Sequence, residues 1–199
     1  ALDMLQPTAA SHRRAMILEV MGRDAGHIAL NAGIAGGADV ILIPEIPYSI
    51  KSIAKHIEFL RTQGRNHALI VVAEAVKKEN GKKATVKYVD GEVRLGGIGN
   101  YIGDEIYKLT NSETRVTVLG HVQRGAQPTH RDRLIASAFG VYAVDLIAKK
   151  KFNRVVVWKD RGVQDLPLSQ VAGYSKTIQK NDPLIKVARG LGIYIGEVG

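Results

Sequence analysis

The chain has 199 residues, 45% of them hydrophobic and 24% charged, which suits one large globular domain or two small ones with a buried core. It contains no cysteine, which excludes disulfides, thiolate metal sites and a cysteine nucleophile and favours a reducing, cytoplasmic setting. The formal net charge is +9, but the lysine-rich segments lack interleaved aromatic residues and no apolar run approaches the roughly 20 residues of a membrane span, so neither nucleic acid nor membrane is expected as a partner.

Five short apolar runs rich in β-branched residues predict buried strands, at residues 15–21, 39–44, 68–74, 115–120 and 154–158. Amphipathic segments predict helices at residues 25–36, 50–63, 99–110 and 131–149, and a last helix is expected at 182–189. This alternation indicates an α/β fold with a mainly parallel sheet and right-handed crossovers. Residues 84–93 interrupt the alternation and predict a β-hairpin arm.

Short-range signals mark the ends of some helices. Asp24 is predicted to be the N-cap of the helix that starts near residue 25, and Gly36-Gly37 to end that helix. The glycines at 96, 97 and 99 precede another helix, but their spacing does not match a dinucleotide-binding loop and a hairpin comes before them, which argues against that function. Glu45 has no predicted task.

Polar residues follow three of the predicted strands, and in a parallel sheet the carboxyl ends of the strands meet at one edge. The polar residues are Arg23, Glu74, His121 and Arg124, and Met21 and Gly22 lie just before Arg23. Cationic side chains suit phosphate oxygens and a carboxylate suits hydroxyl groups, so the pattern predicts a site for a phosphorylated polyol at this edge. The alternative is a set of polar turns without a ligand.

Arg13 and Arg14 precede the first predicted strand and therefore lie at the opposite edge of the sheet. Two interpretations stay open for them. They are simple surface charge, or a subunit presents them to the pocket of its neighbour.

Several motifs of the chain resemble those of a known family, the 6-phosphofructokinases, in their residues, their order and their spacing. They are Ser11-His12-Arg13-Arg14, Glu19-Val-Met-Gly-Arg23, Ile34-Ala-Gly-Gly37-Ala-Asp39, Pro44-Glu45, Ala73-Glu74, Glu113-Thr-Arg115, Leu119-Gly-His-Val-Gln-Arg-Gly125 and Asp132-Arg133. The resemblance extends from about residue 8 to 160 and concerns the substrate-binding half of such an enzyme. It implies a three-layer α/β sandwich, one domain over residues 1–199, and a phosphoryl-donor half that is absent from this chain.

The resemblance also implies a role for each site residue. Met21 and Gly22 are expected to contact fructose 6-phosphate, Glu74 to bind its hydroxyl groups, and Arg23 to stabilise the phosphoryl group during transfer. His121 and Arg124 are expected to hold the 6-phosphate.

Arg14 and Arg115 are expected to complete the active site of a neighbouring subunit, in a homo-oligomer that is a dimer or a tetramer. ATP or pyrophosphate with Mg²⁺ would be bound mainly by the absent half.

The implied function is glycolytic phosphorylation of fructose 6-phosphate to fructose 1,6-bisphosphate, with this chain inactive by itself. Two rivals are a non-catalytic sugar-phosphate-binding module and a basic nucleic-acid-binding domain. The retained Arg23 argues against the first rival, since a module that only binds would not need it. The second would show a steep salt dependence of binding.

Overall fold

The computed structural model describes residues 1–87, 91 and 93–197. The helices are α1 (Leu2–His12), α2 (His27–Ala35), α3 (Ile50–Thr62), α4 (Ile98–Thr110), α5 (His130–Ala148) and α6 (Pro183–Gly190), with 3₁₀ turns at Gly120–Arg124 and Leu168–Gln170. The strands are β1 (Ala15–Val20), β2 (Val40–Leu42), β3 (Ala68–Ala73), β4 (Thr85–Lys87), β5 (Val93–Leu95), β6 (Thr114–Val118), β7 (Arg154–Lys159) and β8 (Gly162–Pro167). The chain forms two compact units, residues 1–123 with 176–199 and residues 124–175.

The first unit is built on a parallel four-stranded sheet in the order β2-β3-β1-β6, which confirms the predicted sheet for four of the five strands. Ile17 of β1 pairs with Ile70 of β3 and with Val116 of β6. Every residue of β1 and β3 is buried. This continuous burial explains why the sequence shows uninterrupted apolar runs instead of alternation.

Helices cover both faces of this sheet. Ile17 lies against α4, where a Cβ on Gly103 would come within 3.3 Å of the Ile17 Cδ1 atom. Ile41 of β2 points to the opposite face, because its neighbour Val40 is the residue in register with Ile70. There Ile41 packs against α2, so α2 and α4 lie on opposite faces and the unit has the predicted three layers.

The close approach of the N-cap of α2 to the residue after β2 depends on a glycine. A Cβ on Gly26 would lie 2.3 Å from both Cβ and Cγ2 of Ile43, a distance that real side chains do not tolerate. We therefore expect Gly26→Ala to lower the free energy of unfolding of the chain by about 1–3 kcal/mol, the usual range for overpacking, as measured by urea denaturation.

Gly190→Ala is the matched control, since a Cβ at that position in α6 would meet no atom within 4 Å. Its unfolding free energy should stay at or above that of the unmodified chain. Equal stability of the two variants would contradict the packing argument.

Two predictions about elements are wrong, and two elements were not predicted at all. Residues 154–158 form a strand but do not join the parallel sheet, since β7 pairs antiparallel with β8. The elements without a prediction are β8 and the helix α1, which contains Pro7. Asp24 does not cap α2, whose N-cap is Gly26, and the Asp24 carboxylate instead contacts the Lys83 ammonium at 3.3 Å.

Two other predictions are confirmed. The helix α2 ends at Ala35 with Gly36 as its C-cap, and Gly37 follows in the left-handed region at φ 67°. The β-hairpin arm is present as the antiparallel pair β4–β5, with Thr85 opposite Leu95. Residues 88–90 and 92 of the predicted arm lie outside the described residues.

The C-terminal segment extends the sheet beyond β2. The Ile41 N–H donates to the Tyr194 carbonyl at 2.9 Å, and the Tyr194 N–H donates to the Asp39 carbonyl at 3.0 Å. Residue 194 therefore adds a short parallel bridge at this edge. Among the described residues, no helix has the length and apolar character that crossing a membrane would need.

Candidate functional site

The turn after β1 carries three of the predicted site residues, Met21, Gly22 and Arg23. The Ala25 N–H donates to the Gly22 carbonyl at 3.1 Å, which closes a tight turn. A Cβ on Gly22 would lie 2.3 Å from the Ala25 carbonyl oxygen, so the turn itself requires glycine. Arg23 adopts a left-handed conformation at φ 51°, which is uncommon outside glycine.

Glu74, which directly follows β3, accepts hydrogen bonds from the backbone of this turn. Its Oε1 atom accepts hydrogen bonds from the Gly22 N–H at 3.0 Å and from the Arg23 N–H at 2.9 Å. Within the described part of the chain, no group donates a hydrogen bond to Oε2. The carboxylate thus fixes the backbone of Gly22 and Arg23 with one oxygen and leaves the other without a donor from the described residues.

The 3₁₀ turn Gly120–Arg124 approaches the same place from the end of β6. The Met21 N–H donates to Oε1 of Gln123 at 2.9 Å, which joins this turn to the end of β1. Sequence reasoning gave Gln123 no role, although it lies between His121 and Arg124 in the motif. Three strand ends therefore meet at the carboxyl edge of the sheet, as predicted.

The cationic side chains at this edge are exposed. Over residues 1–87, 91 and 93–197, neither Arg23 nor His121 has a carboxylate or hydrogen-bond partner for its side chain. By contrast, Arg14, Arg65 and Arg154 are all engaged with acidic side chains. Exposed, uncompensated cations beside a carboxylate suit an anionic ligand that also carries hydroxyl groups.

The structure thus brings Arg23, Glu74 and the turn that contains His121 together. Arg124 is exposed and is the first residue of the second unit, so its part in the site stays a prediction.

Arg14 and Arg115 lie at the other edge of the sheet, joined by Glu113. The Arg14 Nε–H donates to Glu113 Oε2 at 2.6 Å, and the Arg115 guanidinium contacts Oε1 of the same carboxylate. The hydrogen bond from Arg14 is the main reason why the pKa of Glu113 lies below its usual value. Because Arg14 adjoins the start of β1 and Arg115 the start of β6, both are separated from Arg23 by the length of the sheet.

Two buried or half-buried carboxylates at the carboxyl edge organise its loops, and sequence reasoning missed both roles. Glu19, 2% exposed, accepts hydrogen bonds from the Gly97 N–H at 3.0 Å and the Gly99 N–H at 2.9 Å. The N-terminus of α4 is therefore occupied by a side chain of the protein, which supports the argument against a dinucleotide loop there. The signal was a single acidic residue within the apolar run of β1.

Glu45 has an equivalent role at the N-terminus of α2. Its Oε1 accepts hydrogen bonds from the Gly26 N–H at 3.1 Å and from the Ile178 N–H at 2.9 Å. It therefore ties the loop after β2 to the C-terminal segment. The described residues contain no group of three or more His, Asp or Glu side chains able to hold a metal ion.

Comparison with known proteins gives a consistent result. A family model described as phosphofructokinase matches residues 1–147. An ATP-dependent 6-phosphofructokinase 1 from Nostoc sp. is 55% identical over 197 residues, which are 99% of this chain and 55% of the relative. A protein of the same description from Synechocystis sp. is 54% identical and matches 98% of this chain and 54% of its own length. The chain therefore spans about half the length of these relatives.

Solved structures show the same similarity. Phosphofructokinase from Saccharomyces cerevisiae has a TM-score of 0.72 at 30% identity, over 96% of this chain and 23% of the yeast chain. A pyrophosphate-dependent phosphofructokinase from Nitrosospira multiformis has a TM-score of 0.73 at 22% identity, over 90% of this chain and 46% of its own, and supports the fold alone.

Proposed function

Because the chain belongs to the phosphofructokinase family, we propose that it supplies the sugar-phosphate half of an enzyme that phosphorylates fructose 6-phosphate to fructose 1,6-bisphosphate in glycolysis. The Nostoc and Synechocystis relatives are named as ATP-dependent enzymes, which favours ATP as the donor over pyrophosphate. The donor half would lie in the part of the relatives that this chain does not span.

The observation that carries the proposal is the arrangement of Glu74 and Arg23. Glu74 holds the backbone of Arg23 by two hydrogen bonds, so the exposed guanidinium starts from a fixed point at the carboxyl edge. We assign to Arg23 the stabilisation of negative charge on the phosphoryl group during transfer. The second oxygen of Glu74 would bind a hydroxyl group of the sugar.

His121, with Arg124, would hold the 6-phosphate of the substrate. Imidazole and guanidinium donors suit the oxygens of a phosphate monoester, and the exposed His121 ring is on the turn that Gln123 attaches to Met21. Met21 and Gly22 would contact the sugar through their backbone.

The described residues contain no group of three or more His, Asp or Glu side chains that could hold a metal ion, and we assign no step to Mg²⁺ in this chain. Metal, nucleotide and catalytic base would all belong to the remaining half of the polypeptide. This chain would bind the acceptor and place its 1-hydroxyl group for attack.

Arg14 and Arg115 would serve the active site of a second subunit. Their position at the amino edge, at the far ends of β1 and β6 from Arg23, supports this assignment over a role in the pocket of their own chain. The protein would then be a homo-oligomer with shared sites.

The proposed binding of fructose 6-phosphate can be tested on the chain itself. We expect the purified chain to bind fructose 6-phosphate, but not fructose, in a calorimetric or NMR titration, and to show no turnover with ATP or pyrophosphate. His121→Ala should weaken binding of the phosphorylated sugar by about 10–100-fold, because a hydrogen bond to a charged group contributes about 1.5–3 kcal/mol.

His12→Ala is the control, since His12 is exposed at the end of α1 near the amino edge. Its affinity for fructose 6-phosphate should be unchanged. Turnover by the chain alone would refute the division of labour, and an unchanged affinity of His121→Ala would remove that residue from the site.

A test of the proposed catalytic activity needs a longer polypeptide. We define the chimera as the Nostoc relative in which this chain replaces the segment that it matches. The chimera should phosphorylate fructose 6-phosphate with ATP. A folded chimera that binds the sugar phosphate without turnover would instead favour a non-catalytic binding module.

A further inference from the structure

Glu113 lies between the two arginines of the amino edge and contacts both of them. Its Oε2 atom accepts the hydrogen bond from the Arg14 Nε–H at 2.6 Å, and its Oε1 atom contacts the Arg115 guanidinium. The side chains of Arg14, Glu113 and Arg115 are 28%, 45% and 55% exposed, so the cluster is accessible at the surface of the first unit. Because one carboxylate contacts both guanidinium groups, these two groups lie close to each other, as two donors to one small anion must.

The backbone holds Arg14 and Glu113 side by side. The Ala15 N–H donates to the Glu113 carbonyl at 3.0 Å, and Ala15 pairs with Thr114 in the parallel ladder of β1 and β6. Arg14 and Glu113 are therefore the residues directly before two paired strands. The Arg14 N–H also donates to the Ala9 carbonyl at 3.1 Å. Both side chains thus begin from a backbone that hydrogen bonds fix.

The contact with Glu113 leaves one edge of the Arg14 guanidinium open to a ligand. Glu113 takes the Nε–H, and over residues 1–87, 91 and 93–197 neither terminal nitrogen of Arg14 has an acceptor. A guanidinium can contact two phosphate oxygens at once through a pair of its nitrogens. The Arg115 side chain is held from a second side, since its Nη1 donates to the Thr114 carbonyl at 3.1 Å.

The charge of Glu113 reduces the repulsion between the two guanidinium groups. Like charges at short distance repel each other strongly, and a carboxylate between them offsets this effect. The hydrogen bond from Arg14 holds the pKa of Glu113 below its usual value, so the carboxylate is ionised at neutral pH. Two positive charges and one negative charge leave the cluster with a net positive charge, which still attracts an anion.

We propose that Glu113 is a positioning residue that orients Arg14 and Arg115 toward the substrate phosphate in the active site of a neighbouring subunit. The identity of that substrate and the sharing of the site both rest on the proposed function. Glu113 would not contact the phosphate, because two anions repel each other. The alternative is an ion pair that stabilises the fold alone, without a specific effect on phosphate binding.

The affinity of the chimera for fructose 6-phosphate tests the positioning role without any need for turnover. We expect Glu113→Ala to weaken binding by about tenfold in calorimetry, because both arginines lose the acceptor that holds them. In steady-state kinetics KM should rise by a similar factor, and kcat should change less than about twofold, since Arg23 keeps its own turn. Glu113→Gln should give an intermediate affinity, because the amide keeps one acceptor oxygen.

A second measurement separates positioning from a general effect on the fold. In a variant of the chimera that already carries Arg14→Ala and Arg115→Ala, the further change Glu113→Ala should leave the affinity as it is. The reason is that no arginine remains to be oriented. A carboxylate that acted through the stability of the fold would lower the affinity in both backgrounds, so additive effects would contradict the proposal.

Glu105→Ala is the matched control. Glu105 of α4 also contacts a cationic side chain at 2.6 Å, that of Lys108, and its removal should leave the affinity unchanged. NMR of the isolated chain reports the contact itself. The signal of the Arg14 Nε–H should shift in Glu113→Ala and stay in place in Glu105→Ala.

Three further outcomes would overturn the role of Glu113. The first is an affinity of Glu113→Ala equal to that of the unmodified chimera. The second is a higher affinity, which would show that the carboxylate competes with phosphate for the arginines. The third is an unchanged Arg14 signal in the isolated chain. A folded chimera that binds no fructose 6-phosphate is a different result, since it would contradict the proposed function and the role of Glu113 together.

Discussion

Replacing Arg23 by alanine in the chimera is expected to lower kcat by about 10²–10³-fold, the usual cost of removing one donor to the transition state. The value of KM for fructose 6-phosphate should change much less, because the phosphate of the substrate would be held by His121 and Arg124. Glu74 bonds only the backbone of Arg23, so alanine at this position keeps both hydrogen bonds of the turn. Steady-state kinetics with ATP and fructose 6-phosphate measure both parameters.

Arg189→Ala is the control, since Arg189 is an exposed arginine in the last turn of α6. Its kinetics should match those of the unmodified chimera. An Arg23→Ala variant with unchanged kcat would exclude Arg23 from the mechanism, and one with a raised KM alone would reduce it to a binding residue.

Replacing Glu19 by alanine is expected to cause the largest loss of stability. The substitution leaves the N–H groups of Gly97 and Gly99 without their acceptor, and an unsatisfied buried group costs about 1–3 kcal/mol. We therefore expect the free energy of unfolding of the chain to fall by about 3 kcal/mol or more in urea denaturation. The unfolding free energy of Glu19→Gln should lie between those of the unmodified chain and of Glu19→Ala, because the glutamine amide keeps one acceptor oxygen.

Glu58→Ala removes a carboxylate of α3 that is 51% exposed and pairs with Arg61, so its cost should stay below about 0.5 kcal/mol. If Glu19→Ala were as mild as this control, the carboxylate would not be what holds the start of α4. Both variants keep the second unit unchanged in sequence.

The parallel sheet was predictable because its strands are buried on both faces, and such strands have apolar sequences without interruption. The same signal misled for residues 154–158, since a β-branched run in a hairpin has a similar composition. Helix α1 was not predicted, and it contains Pro7, a residue type that disfavours the interior of a helix. Asp24 was a reasonable cap by residue type, but Glu45, distant in sequence, takes the N–H at the start of α2.

Much of the candidate site was also predictable, since strands that run in the same direction have their carboxyl ends at the same edge of the sheet. The convergence of Arg23 and Glu74 followed from that rule. What the rule cannot give is the partner of each polar atom. The bond from Met21 to Gln123 depends on the conformation of a 3₁₀ turn, and this conformation is not encoded by the type of residue alone.

The carboxylates at the strand ends have one more consequence. The carboxylates of Glu19, Glu45 and Glu74 each accept hydrogen bonds from backbone N–H groups of a loop in another part of the chain. These hydrogen bonds order the edge without a ligand, so binding of the proposed substrate would cost little free energy for ordering the loops. Cross-linking of this kind also makes the loops interdependent, so an insertion in one of them would disturb the geometry of its neighbours.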